Sequence, residues 1–296
     1  MKRIILLLAV FLISHSAIAQ QKSPGIAHTE DVIYGRKFGT ALTLDVFRPE
    51  KPNGAAVIFA VSGGFYSSHD AIRGLPYKLF LDRGYTFFAV VHGSQPKFHV
   101  PEITQDMHRA IRFIRAHAEE YAVDPNRFGI TGASAGGHRS LTMGTQGAKG
   151  PADAKDPIDR ESSAVQAVAC FFPPTDFLNY GQAGEDAVGV GVLKDFKGAF
   201  GPRSDTAEER QKLGKEISPI YYVQKSMAPT LIIHGDADKL VPIQQAEIFV
   251  NKSKEAGAVA KLVTKPGAAH GWAGMEADWK AIADWFDEHL KRKDGQ

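Results

Sequence analysis

The chain has 296 residues, 44% of them hydrophobic and 23% charged, with a formal net charge of +2. That is an ordinary globular balance, long enough for one large α/β domain or two small ones. With no basic cluster the sequence offers nucleic acid no electrostatic footprint, and its single cysteine, Cys170, excludes an internal disulfide.

The first element is MKRIILLLAVFLISHSAIAQ, with Lys2 and Arg3, an apolar run over residues 4–13, and AIA before Gln20. A basic start, a short apolar core and a small-x-small site predict a signal peptide over 1–19, cut after Ala19. The expected product is exported, periplasmic or secreted, with net charge 0 once Lys2 and Arg3 leave. The apolar run is about half of the ~20 residues a membrane span needs, so no stable span is expected in the mature region 20–296.

QKSPGIAHTE is polar and is expected to fray. DVIYG and ALTLDVFRP then read as paired strands around RKFGT. AAVIFAV (55–61) and YTFFAVV (85–91) are short continuous apolar runs rich in branched and aromatic residues, the pattern of central parallel strands covered on both faces. DAIRGLPYKLFLDRG between them reads as a crossover helix ending in glycine. A clearer helix follows in PEITQDMHRAIRFIRAHAEEYAV, with Ile103, Met107, Ala110, Ile111 and Ile114 on one stripe and Pro101 at its start. Arg109, Arg112 and Arg115 lie off that stripe and are expected to face solvent.

RFGITGAS, VQAVACFF, TLIIHGD and AKLVTKPG read as further strands, and helical patterns follow the last two at IQQAEIFVNKSKEAG and ADWKAIADWFDEHLKR. Such alternation predicts an α/β fold with a mostly parallel sheet and helices on both faces. Residues 147–163 read as a surface loop. The segment 177–227 is too long for a plain connection and predicts a small helical, cap-like insertion. Cys170 falls inside an apolar strand and is expected to be buried and inert.

The chemistry centres on TGASAGG. A strand running into a helix through Gly-x-Ser-x-Gly forces the serine into a strained turn, so neighbours two residues away, Gly132 and Gly136, must lack side chains. Ser134 is therefore the candidate nucleophile. A serine hydroxyl needs a histidine base and a carboxylate that orients it, here in the chain order serine, acid, histidine. HGDADKLVP supplies Asp238 and KPGAAHGW supplies His270. Asp236 is the residue expected to turn the acid loop, and Asp176 in PPTDF is the third candidate acid. His92, His99 and His138 are expected to pack or face solvent, and His234 to brace the acid loop. No clustered Cys/His spacing points to a metal, and no cofactor is expected. Oxyanion donors are expected at the N–H of Ala135 and in SGGFYSS, at Gly63 and Gly64.

These residues together resemble an α/β-hydrolase of the esterase/lipase group, similar to hormone-sensitive-lipase-like and feruloyl-esterase-like serine hydrolases. The resemblance rests on GASAGG, DPNRFGITG, IIHGDADKLVP and AAHGW in that order and runs from about Val32 to the C-terminus. In one place the sequence departs from the group. The oxyanion loop usually reads His-Gly-Gly-Gly, whereas here Val61 and Ser62 occupy the first two positions. Another contact must then fix the loop, and Phe65 and Tyr66 are expected to anchor it or to wall the acyl pocket. The resemblance implies an exported serine carboxylic-ester hydrolase acting on a small-molecule or polysaccharide-linked ester, such as acetyl or feruloyl groups of plant polysaccharides. A serine peptidase or amidase of the prolyl-oligopeptidase-like type is the alternative, and a non-catalytic binding protein on the same fold the remote one. SPIYYV (218–223) is expected at the site's entrance.

Overall fold

The computed structural model describes residues 26–291, so the expected signal peptide lies outside the described residues. The short apolar runs become β3 (Ala56–Val61), β4 (Thr86–Val91), β5 (Phe128–Ala133), β6 (Ala167–Phe171) and β7 (Thr230–Gly235). With β1 (Ile26–Lys37), β2 (Thr40–Pro49) and β8 (Ala260–Lys265) they form one eight-stranded sheet in the order β1-β2-β4-β3-β5-β6-β7-β8. β3 to β8 run parallel, while β2 is antiparallel to both β1 and β4.

Side-chain alternation divides the core between the two faces. Ala56, Ile58 and Ala60 of β3 pack with Ile111 of α2 (Val100–Ala116), Leu141 of α3 (Ala135–Gln146) and Phe249 of α6 (Gln244–Glu255). Val57, Phe59 and Val61 pack on the other side, with Phe80 of α1 (Tyr77–Leu81) and Phe286 of α7 (Asp278–Leu290). After β3 the chain steps to β4 and then returns to β5 on the opposite side of β3. The loops leaving β3 and β5 therefore diverge, which opens a crevice at their carboxyl ends.

Several expectations are corrected. Ile26 to Thr29 do not fray but pair with β2 at the start of β1, because an edge strand is held by its backbone pairing whatever its side chains. The 70–84 crossover is not one helix: a 3-10 turn (His69–Gly74) precedes α1, and Leu75, just before Pro76, is extended. Arg109, Arg112 and Arg115 do not simply face solvent. They clamp the 147–163 loop, Arg109 through Asp156 and Asp159 at 2.7 and 2.9 Å and Arg112 and Arg115 through carbonyls of Glu161, Ser162 and Ala164. The 177–227 insertion holds two helices, α4 (Lys197–Phe200) and α5 (Ala207–Ile217), with 3-10 turns between and after them. Its Phe177, Leu193, Phe200 and Leu213 share an apolar cluster with Phe65, Val100 and Ala135, so the insertion is packed directly over the crevice.

Candidate active site

Ser134 lies between β5 and α3 with φ 55° and ψ −119°, a conformation that costs an L-residue about 1–3 kcal/mol. Its surroundings impose it. The Ser134 N–H donates to the Phe171 carbonyl at 3.1 Å, and that of Gly136 donates to Ser62 across the crevice at 3.2 Å. A Cβ at Gly132 would lie 2.6 Å from the Gly136 carbonyl, and one at Gly136 would lie 2.6 Å from the Ala60 oxygen. Only glycine permits that approach, as the motif implies.

The hydroxyl meets its expected partners. His270 Nε2 is 2.9 Å from Ser134 Oγ, and His270 Nδ1 is 2.7 Å from Asp238 Oδ2. With Nδ1–H donating to the carboxylate, Nε2 is left to accept the serine proton. Asp238 also accepts the N–H groups of Leu240 and Val241 at Oδ1, both at 2.9 Å. Burial pushes its pKa up, but contacts from His234 and His270 and the Val241 N–H outweigh it and hold the carboxyl well below the usual range. His234 braces the loop by donating from Nε2 to the Val241 carbonyl at 2.8 Å.

The other candidate acids are engaged elsewhere. Asp236 accepts the Gly267 N–H at 2.6 Å and so ties the acid loop to the histidine loop. Asp176 accepts from the Leu178 N–H, Asn179 and Tyr221. His138 is buried, held by Arg139 and the Ile217 carbonyl, and His92 bonds to Gly93. The N–H of His99 joins Glu102 in capping α2.

The oxyanion loop differs from expectation at one residue. The Gly63 N–H is spent on the Tyr66 carbonyl at 3.0 Å in a small reciprocal bridge, which removes it from the donor set. Ala135 opens α3, where N–H groups have no intrahelical partner. Among the described residues the Gly64 N–H makes no backbone hydrogen bond outside the regular elements. Gly64 and Ala135 line one cavity with Ser134, which leaves their N–H groups as the candidate donors. The loop is fixed from the segment after β4: Gln95 Nε2 donates to the Gly64 carbonyl at 2.5 Å and the Gln95 N–H to the Phe65 carbonyl. Ser67 Oγ donates to the Val61 carbonyl and Ser94 Oγ to that of Ser67. These contacts stand in for the histidine absent at position 61.

Residues 44–253 match the BD-FAE family. The chain belongs to the BD-FAE family. LipM of Mycobacterium tuberculosis, named "Probable carboxylic ester hydrolase", is 29% identical over 237 residues, which are 77% of this chain and 52% of LipM. Esterase LipQ of the same organism is 29% identical over 250 residues, 82% of this chain and 57% of LipQ. The chain thus spans about half the length of these curated relatives. A solved structure of a truncated carbohydrate esterase from gut microbiota superimposes with a TM-score of 0.76 at 27% identity, over 90% of this chain and 97% of that one. The fold is accordingly that of the esterase/lipase α/β-hydrolases.

In this BD-FAE chain the cavity beside Ser134 is small, about 20 Å³, little more than one water-sized sphere requires. Gly64, Phe65, Ala135 and Pro174 line it with Leu193 and Phe196 of the insertion and Leu240 and Val241 of the acid loop. Phe65 is thus a wall, as expected, whereas Tyr66 is exposed and borders a separate hollow of about 370 Å³ with Ser62, Gly63 and Ser67. SPIYYV does not line the Ser134 cavity. The Phe196 ring lies so close that a Cβ at Gly64, where φ is +54°, would meet it at 2.5 Å. Phe172 stacks obliquely on His270, ring centroids 4.4 Å apart. Sequence patterns missed Gln95, Phe172 and Phe196, because none belongs to a motif: Gln95 and Phe172 follow the ends of β4 and β6, and Phe196 ends a 3-10 turn (Gly191–Phe196). A far larger surface hollow, about 800 Å³ and lined by Lys37, Asp106 and Arg109, includes none of the triad.

Proposed function

We propose that the protein is an exported serine carboxylic-ester hydrolase that releases short acyl groups, acetyl above all, from carbohydrate esters. The observation that carries the reading is the continuous Ser134–His270–Asp238 relay, with contacts of 2.9 and 2.7 Å. Ser134 Oγ attacks the ester carbonyl as its proton passes to His270 Nε2. The carbonyl oxygen becomes an oxyanion met by the N–H groups of Gly64 and Ala135, each donor of this kind being worth about 3 kcal/mol of barrier. His270 returns the proton to the departing alcohol as the C–O bond breaks. Water, deprotonated by the same imidazole, then cleaves the acyl-enzyme, which releases the acid and restores Ser134. Asp238 remains a carboxylate throughout and holds the imidazolium.

The acetyl assignment follows from volume. A cavity of about 20 Å³ behind Gly64, closed by Phe65, Leu193 and Phe196, suits a methyl group and leaves no space for a feruloyl ring. Tyr66, exposed on the oxyanion loop, offers the sugar of such an ester a flat apolar face. The carbohydrate esterase to which the chain is similar supports that substrate class. Export rests on the composition of residues 1–19.

The test is hydrolysis of p-nitrophenyl acetate, butyrate and ferulate, a prolyl p-nitroanilide and acetylated xylan by the purified chain beside Ser134→Ala. The expected result is kcat/KM falling from acetate to butyrate to ferulate, with all turnover lost in the variant. Faster feruloyl or prolyl-amide cleavage would overturn the acyl assignment, and equal rates in both proteins would overturn the hydrolase reading. N-terminal sequencing of exported protein should begin at Gln20.

A further inference from the structure

Asp45 of β2 is a carboxylate buried to 1% exposure of its side chain, and among the described residues its ion pairs are to histidines alone. His69 Nε2 lies 3.0 Å from Asp45 Oδ1, and His28 Nε2 lies 2.8 Å from Asp45 Oδ2. A second carboxylate faces the same imidazole, with Asp31 Oδ1 3.8 Å from His69 Nε2. One ligand atom from each of Asp31, Asp45 and His69 falls within 4.8 Å of the others. A buried charge is ordinarily paired or bound to a metal, and among the described residues the ion pairs of Asp45 are with His28 and His69, both of them residues able to ligate a metal.

The backbone builds this arrangement. β1 bulges between Thr29, which faces Val46, and Val32, which faces Leu44, so Glu30 and Asp31 both stand against Asp45. The Asp31 N–H donates to Asp45 Oδ1 at 3.1 Å, which ties the bulge to that carboxylate. His69 begins the 3-10 turn that follows the oxyanion loop. His28 is held from behind by stacking on Phe47, centroids 4.0 Å apart, and it occupies the carboxylate oxygen that the other two groups leave free.

We propose that Asp31, Asp45 and His69 form a site for a divalent transition-type cation, Zn2+ by its donor set, with His28 as the positioning residue behind Asp45. An imidazole and two carboxylates suit zinc. Ligand atoms at 2.0–2.2 Å around a tetrahedral ion lie about 3.4 Å apart, and the observed 3.0 and 3.8 Å to His69 bracket that spacing. The ligands converge from β1, β2 and the turn after β3, so no short sequence spacing announces them. The ion would act as a clip joining the edge hairpin to the segment that leads out of the oxyanion loop. A ligand outside the bulge, such as water, would complete the coordination, and a histidine hydrogen-bonded to a ligating carboxylate is a usual supporting contact.

The experiment is calorimetric titration of the untagged, EDTA-treated and dialysed chain with ZnCl2, with thermal melts at each ratio. The expected result is one saturable Zn2+ per chain and a rise in Tm with zinc. His69→Ala and Asp31→Asn, both at exposed side chains, should each weaken binding at least tenfold and remove the Tm response. Ser134→Ala should bind zinc as the wild type does, which separates this site from the hydrolase reading. Absence of saturable binding, or equal binding in wild type and both variants, would overturn the proposal. A preference for Ca2+ over Zn2+ would overturn its donor chemistry.

Discussion

Gly64 joins a strained backbone conformation to the proposed acyl pocket and oxyanion donor, and Gly64→Ala tests all three. At φ +54° an L-residue costs about 1–2 kcal/mol, which should appear as lost stability. Sterics add to that: the new Cβ would lie 2.5 Å from Phe196 Cε1 and 3.0 Å from Cδ1, about 1 Å inside an ordinary carbon contact. Either the ring or the loop must move by about that distance. A loop shift carries the Gly64 N–H out of the 2.7–3.1 Å range an oxyanion donor needs, at a cost of about 10²–10³ in kcat. Stopped-flow or steady-state hydrolysis of p-nitrophenyl acetate by Gly64→Ala, Phe196→Ala and the double variant separates the contributions. The double variant removes the collision but keeps the strained φ, so it should recover at least about tenfold of the lost kcat while its Tm stays depressed. If Gly64→Ala alone kept kcat within about threefold, the Phe196 ring and not the loop would have yielded, and the claim that this contact sets the position of the Gly64 N–H would fail. If the double variant recovered nothing, the ring contact would not be the cause.

Three further outcomes are expected. Ser134→Ala and His270→Ala should lower kcat by similarly large factors, because triad members act as one unit; Asp238→Asn should cost about 10⁴ and Asp176→Asn little, measured on the same ester. Gln95→Ala, which frees the Gly64 carbonyl from its 2.5 Å contact, should lower kcat about 10–100-fold with little change in KM, since one donor of about 3 kcal/mol becomes loosely held; unchanged kcat would show that the loop is fixed elsewhere. Burial pushes His92 down to about 3 and His108 to about 4. Both are neutral when folded and protonate on unfolding below about pH 6.5, so stability is full above that pH and falls as pH drops towards these values, by about 1.4 kcal/mol per unit for each histidine. Denaturant melts from pH 7 to 4.5 should show that slope, reduced by about one proton in His92→Asn.

The parts of the molecule legible in the sequence are those where a local pattern and a global constraint coincide. β3 and β5 are read from apolar runs that only a doubly covered strand can bury, and Ser134 from glycines that only a crowded elbow requires. Asp238 and His270 follow because the carboxyl ends of successive parallel strands lie side by side, so chain order becomes spatial order. Gly63 departs from expectation for a physical reason: two adjacent glycines permit the same backbone freedom, and only the hydrogen bond to Tyr66 decides which amide is spent. Arg109 and Arg115 likewise depart from expectation, because their carboxylate and carbonyl partners lie about 40–50 residues away, in a loop with no periodicity.

The cavity proposed to take the acyl group is the least legible feature, and its construction explains why substrate class escapes motif reading. Its floor belongs to the catalytic frame, Gly64, Ser134 and Ala135, but its closing walls, Leu193 and Phe196, come from the insertion. The insertion is not a loose lid over that frame. Ile217 at the end of α5 accepts a hydrogen bond from His138, one turn after Ser134, and Phe65 and Ala135 share its apolar cluster. A change in the insertion therefore alters pocket volume through residues anchored to the nucleophile's own helix. Enlarging the pocket to accept a longer acyl chain should come from Phe196 or Leu193, whose side chains face the cavity, at little cost in kcat for acetate. Loosening α5 should instead disturb the elbow and lower kcat for every ester. Specificity and catalysis are separable at the pocket wall and inseparable at its anchor.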